Sequence, residues 1–214
     1  MPKKWTDALR DANISTNRRK KSHKVFNDHI SADFNTIPTM KPHEYVDYCW
    51  NRYTASPVTK TRALNGQMFE LIIYTLLYRE EILPFYRQAA LSFIPNITYD
   101  VVLYHDDGTD NGNIIVLSLK TTGRERYKQA DLEGAYLKNI HRRALNYFVS
   151  RADAETLNVQ EKIDRKEILY IDRAVNAVDP EFDDLIEELK DFKLHNGFKS
   201  NEVVEVISKG SEVE

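Results

Sequence analysis

A single cysteine, Cys49, among 214 residues rules out an internal disulfide, and one thiol without partner thiols is no zinc site. Long hydrophobic runs are missing too. No apolar stretch reaches the roughly 18 residues needed to span a bilayer, and the lysine-rich N-terminus lacks the apolar middle of a signal peptide. These absences make a soluble protein of a reducing cytoplasm, with no membrane partner, the expectation. No internal repeat is present. What remains, 42% hydrophobic and 11% aromatic residues, suffices for one substantial core, so residues 1–214 are expected to form one α/β domain.

The formal net charge of -3 hides a strong polarity along the chain. Residues 1–24 hold eight lysines and arginines against Asp7 and Asp11. Residues 179–214 hold eleven acids against Lys190, Lys193, Lys199 and Lys209. A basic end can meet phosphates however acidic the far end is, although on charge alone two solvated faces are the better explanation of the pattern.

Element by element, the N-terminal segment reads as a short helix at Trp5–Ala12 followed by a basic arm that includes Arg18–Lys21. Pro38, Pro42 and Pro57 leave room for one helix from about His43 to Arg52. Gln67–Tyr78 is a helix with apolar residues on more than one face, carrying Glu70 in its first half. Strands are expected at about Tyr86–Phe93 and Ile97–Tyr104, the second interrupted by Asp100. The polar run His105–Asn113 lacks the ligand spacing of a calcium loop and reads as a turn returning the chain antiparallel.

After that turn, Ile114–Lys120 is a buried strand that ends on a lysine, a local conflict of the kind expected at functional sites. Side-chain alternation puts Ser118 and Lys120 on one face and Ile115, Leu117 and Leu119 on the other. A helix from Arg126 to about His141, a strand at Ala144–Val149, a helix at Ala152–Ile163 and a short strand at Glu167–Ile171 follow. A helix opened by Asp179-Pro180 comes last, and Ser208–Glu214 reads as a frayed tail. The fold class is α/β (α+β): a central mixed sheet flanked by helices.

Asp100, Lys120 and one or two glutamates are together what metal-assisted phosphodiester hydrolysis requires. Carboxylates suit Mg²⁺, which binds through one or two protein acids plus water and substrate phosphate. A lysine can orient the attacking water or stabilise the charged transition state. Trp5, Trp50 and Tyr53 are conceivable stacking partners for an extruded base, though aromatic core contact is the simpler reading of each.

These residues resemble the PD-(D/E)XK nuclease superfamily, in particular type II restriction endonucleases. Pro95-Asn-Ile-Thr-Tyr-Asp100, a hairpin and Ser118-Leu-Lys120 stand where that superfamily has an acid on one strand and (D/E)-x-K on the next. Ser118 departs from the pattern. A subset of restriction enzymes, those cutting CCGG, CCNGG and CCWGG sites, carries the second acid on the following helix about thirteen residues after the lysine; Glu133 lies thirteen after Lys120. Lys120-Thr-Thr-Gly-Arg-Glu-Arg-Tyr-Lys-Gln129 is similar to that subset's lysine-proximal signature, and Gly66-Gln-Met-Phe-Glu70 to its upstream helical glutamate.

The resemblance implies Asp100, Lys120, Glu133 and Glu70 as catalytic residues, with Asp100, Glu133 and Glu70 ligating Mg²⁺. It further implies Arg124, Glu125 and Arg126 as readers of outer C·G pairs: arginine can donate twice to guanine, and glutamate can accept from cytosine N4. The substrate is then double-stranded DNA, cut to 5′-phosphate ends by a homodimer, with pairing into tetramers left open, and a DNA methyltransferase is the functional companion. The rivals are a nuclease of the same fold serving repair or mobile elements, and, because of Ser118, a site-specific DNA-binding protein without catalysis.

Overall fold

The structure is a computed structural model that describes residues 9, 21–30, 40–91, 94, 96–106, 108, 112–122, 125–195 and 203–204. The expected Trp5–Ala12 helix, apart from a buried Leu9, the arm up to Lys20, and the Ser208–Glu214 tail lie outside the described residues.

A seven-stranded mixed sheet organises the described chain. Its strands are β1 (Tyr86–Leu91), β2 (Tyr99–His105), β3 (Asn113–Lys120), β4 (Leu145–Ser150), β5 (Arg173–Asn176), β6 (Leu194–His195) and β7 (Val203–Val204). The spatial order is β5-β4-β3-β2-β1-β7, with β6 pairing the far end of β2. β1, β2 and β3 run antiparallel, and β3, β4 and β5 run parallel. The turn after His105 thus returns the chain antiparallel, with Val101 opposite Leu117 and Tyr104 opposite Ile114.

Helices cover both faces. On one lie α1 (Lys21–Val25, continued by a π turn over Phe26–Ile30), α2 (Pro42–Ala55), α3 (Arg62–Arg79) and α6 (Glu181–Asp191). Their apolar residues form the main core with Val101, Leu103, Ile115, Leu117 and Leu119. On the other lie α4 (Arg126–Ile140) and α5 (Asp153–Asp164). Leu137 of α4 packs on Val102, Tyr104, Ile114 and Val116, while Ala130 and Val159 close over Phe148 and Ala174. The alternation expected of β3 holds, because Ile115, Leu117 and Leu119 all enter the main core.

Helix α3 begins five residues before the expected Gln67, because the Thr61 side chain caps it by accepting from Leu64 N at 3.1 Å. Gly66 is carried inside the helix as its fifth residue. The short strand expected at Glu167–Ile171 is not one: the strand is Arg173–Asn176, in register with Tyr147–Ser150. Ile168 and Ile171 are buried under α4 and α5 instead of in the ladder. Their loop serves β4, where Asn146 N donates to Asp172 Oδ2 at 2.7 Å and Asn146 Nδ2 to Tyr170 O at 2.9 Å.

That loop also explains Gly134. A Cβ there would sit well inside van der Waals contact of Asn146 Nδ2 and Tyr170 O, so only glycine lets α4 approach so closely. Overpacking of this kind costs about 1–3 kcal/mol. Gly134→Ala is therefore expected to lower the urea midpoint by a corresponding amount at unchanged m-value. A variant as stable as the parent would show that α4 has room to shift.

Candidate active site

The backbone ladder between β2 and β3 ends at Val101 and Leu117, one residue short of Asp100. Beyond that point the Asp100 carboxylate replaces it. Asp100 Oδ2 accepts from Leu119 N at 2.8 Å and from Lys120 Nζ at 2.6 Å. The two side chains are only 13% and 10% exposed, so each charge is held in place chiefly by the other.

Glu70 approaches from α3. Its Oε2 accepts from Tyr74 OH at 3.2 Å, one helical turn on, and from Gln88 Nε2 at 3.2 Å. The same Gln88 nitrogen donates to Asp100 Oδ1 at 3.0 Å, and Tyr74 OH donates to Asp100 O at 3.1 Å. Burial, reinforced by the neighbouring Asp100 charge, pushes the Glu70 carboxyl up to about 7.

Glu133 comes from the opposite face of the sheet. Tyr99, the residue before Asp100, donates through its hydroxyl to Glu133 O at 3.0 Å and so fixes this turn of α4 beside the strand end. The Glu133 carboxyl is raised by burial, opposed by the Gln129 hydrogen bond and by the charge of Lys120. Its Oε1 accepts from Gln129 Nε2 at 2.7 Å rather than from the lysine. Ser118, where the second strand acid is missing, is 2% exposed.

The four residues singled out from the sequence therefore gather at one end of the sheet: Glu70 and Asp100 through Gln88, Lys120 on Asp100, and Glu133 anchored through Tyr99. Among the described residues no three acid, histidine or cysteine side chains converge into a ready-made cage. Hard oxygen donors on two adjacent carboxylates that repel one another nevertheless fit Mg²⁺, which leaves part of its shell to water and substrate.

At the start of α4, Glu125 and Arg126 are both exposed. Glu125 is paired only loosely, at 3.8 Å, with Lys128. Arg124 lies outside the described residues. Trp50 and Tyr53 are 7% and 0% exposed and belong to the main core, so neither can stack on a base; Trp5 lies outside the described residues. Three polar residues of the site, Tyr74, Gln88 and Gln129, were not assigned from the sequence. Tyr74 and Gln129 each stand four positions from a candidate glutamate, a spacing that places them on its helix face. Gln88 left no such signal, since its partners come from other elements.

No protein family and no curated protein matches the chain by sequence. Among solved structures, the chain is similar to the restriction endonuclease PspGI in complex with substrate DNA. The TM-score is 0.51 at 16% identity, over 87% of this chain and 79% of that one. At that identity the likeness shows the fold, a restriction-endonuclease-like one.

The raised Glu70 carboxyl has a consequence for stability. A carboxyl with a folded-state pKa above its unfolded value binds more protons when folded, so stability falls as pH rises from 4.5 towards about 7. Without divalent ions, Glu70→Gln is expected to exceed the parent in stability at pH 8 by about 1–3 kcal/mol, because one pKa unit corresponds to about 1.4 kcal/mol. The advantage should shrink towards pH 5. Urea unfolding in chelator at the two pH values measures it, and a variant less stable at pH 8 would contradict it.

Proposed function

We propose that the chain is a Mg²⁺-dependent, sequence-specific endonuclease of the type II restriction kind, acting on double-stranded DNA. The observation that carries this reading is the Asp100–Lys120 pair at the parted end of β2 and β3, with Glu70 and Glu133 brought beside it from opposite faces of the sheet. The fold shared with a DNA-cutting enzyme supports it.

In this reading Asp100, Glu70 and Glu133 hold the ion. When bound, Mg²⁺ would supply positive charge against the phosphate oxygens as negative charge builds there. The remaining steps belong to the protein. Lys120 orients a water whose oxygen bonds to phosphorus as the bond to the 3′ oxygen breaks, leaving 5′-phosphate and 3′-hydroxyl ends. Its ammonium also stabilises the crowded phosphorus as a point charge.

Glu125 and Arg126, exposed at the start of the helix that carries Glu133, read an outer C·G pair together with Arg124. A twofold DNA site is cut on both strands most directly by a homodimer, and a methyltransferase would protect the host's own sites. One α/β domain in a cytoplasmic protein fits this role.

Two sets of variants test the reading. Asp100→Asn, which keeps an acceptor for Leu119 N, and Lys120→Ala should lower plasmid cleavage by about 10²–10³-fold or more, a scale set by single transition-state contacts. Lys120→Ala should keep specific binding in Ca²⁺. If both variants still cut, the site is elsewhere, and tight site-specific binding without cleavage by the parent at any Mg²⁺ or Mn²⁺ level would identify a binder. Separately, Arg126→Ala should cost about 1–3 kcal/mol of discrimination at one base pair. Competition binding with singly substituted sites measures that loss, and uniform weakening across sites would assign Arg126 to phosphate instead.

A further inference from the structure

We infer that Gln88 is a positioning residue of this site: its amide holds the Glu70 and Asp100 carboxylates together from a backbone conformation that the fold keeps at a cost. The inference rests on the nuclease reading above and concerns how its two acids are aligned.

The first observation is backbone strain inside a strand. Gln88 lies in the middle of β1 with φ 47°, in the left-handed region that a side chain bearing Cβ rarely adopts. The β1–β2 ladder skips this position. Arg87 pairs with Val101 and Ala89 with Tyr99, and between these two rungs Gln88 and Asp100 do not pair through the backbone.

What changes there is the phase of the side chains. Tyr86, Ala89 and Leu91 all pack on the α4 side, although strict alternation would put residues 86 and 89 on opposite faces. On β2 the same break occurs: Tyr99, Val102 and Tyr104 share the α4 side, whereas Val101 and Leu103 enter the main core. Both strands thus switch phase at the same place, the skipped position of Gln88 and Asp100 between two rungs.

The switch lets two successive residues of β1 reach α3. Arg87 lies over the Tyr74 ring, 5.9 Å from its centroid, and Gln88 reaches the Glu70 carboxylate. In a regular strand only one of the two could. With its phase shifted, the one Gln88 nitrogen lies 3.2 Å from Glu70 Oε2 and 3.0 Å from Asp100 Oδ1. An amide suits this place. It donates to both acids without adding a charge, whereas a lysine would compete with the ion they are proposed to hold.

The test compares Gln88→Gly with Gln88→Met in the full chain. Glycine relieves the left-handed backbone and removes the amide; methionine keeps the strain and side-chain length but removes the donor. Three quantities are read: thermal midpoint in chelator, Mn²⁺ affinity from the free-ion electron paramagnetic resonance signal, and plasmid cleavage. Gln88→Gly should melt a few degrees higher than Gln88→Met, because both lack the donor and only methionine keeps the left-handed strain. Both should lose at least about tenfold in Mn²⁺ affinity and in cleavage, the usual scale for a residue that orients metal ligands.

A glycine variant that melts no higher than the methionine variant overturns the inference, because the left-handed backbone would then carry no cost. So does wild-type Mn²⁺ affinity and cleavage in both variants, while leaving the nuclease reading intact. A parent protein that neither takes up Mn²⁺ nor cuts DNA overturns both.

Discussion

Between β2 and β3, backbone pairing gives way to a side chain, and the rest of the site follows from that substitution. Parting strands would leave the Leu119 amide unpaired, at a cost of about 1–3 kcal/mol for a buried donor. Asp100 Oδ2 takes that amide and, on the same oxygen, the Lys120 ammonium. A shielded ion pair of this kind is a poor source of net stability, since desolvation offsets most of the attraction, yet losing one partner costs about 3–5 kcal/mol. The fold is therefore obliged to keep both members once it has either. A hydrophobic pair would serve stability as well, so chemistry is the better explanation for charges at this spot.

The second requirement is that α4 lie close enough for its glutamate to be shared. Gly134 removes the side chain that would strike Asn146 and Tyr170, and Asn146 Nδ2 donates across the gap to Ala130 O at 3.0 Å. Tyr99 then fastens Glu133 O from the strand side. A helix seated in this way places its exposed N-terminus, with Glu125 and Arg126, at the same end of the sheet as the carboxylates. Under the proposed reading, α4 would then carry both one of the acids and two of the base-contacting residues.

Stability is given up locally to assemble these groups. Glu70 is held among groups that disfavour its charge, Gln88 sits in a left-handed conformation, and Arg87 is buried with its Nε unpartnered. Each is unfavourable by itself, and they are neighbours: Gln88 donates to both Glu70 and Asp100, and Arg87 pairs with Val101 beside it. The large core built on α3, with ten buried residues in that helix alone, is what offsets them.

The sequence by itself determined the periodic and local features. The α3 helix, the antiparallel return after His105 and the inward face of β3 follow from apolar spacing and turn chemistry. Asp100, Lys120, Glu133 and Glu70 stand out through the resemblance of their order and spacing to a nuclease motif, which is linear information as well. Tertiary structure decided what depends on neighbours from elsewhere in the chain. The stretch Glu167–Ile171 has a strand's composition but is drawn off as a loop, in which the Tyr170 carbonyl and the carboxylate of the following Asp172 serve Asn146. Gln88 could not be distinguished from any other strand glutamine, because its two partners lie 18 residues before it and 12 after it and meet it only through the sheet and the helix behind it. Alternation predicts a face for every strand residue; where two paired strands change phase together, only the packing on each side records it.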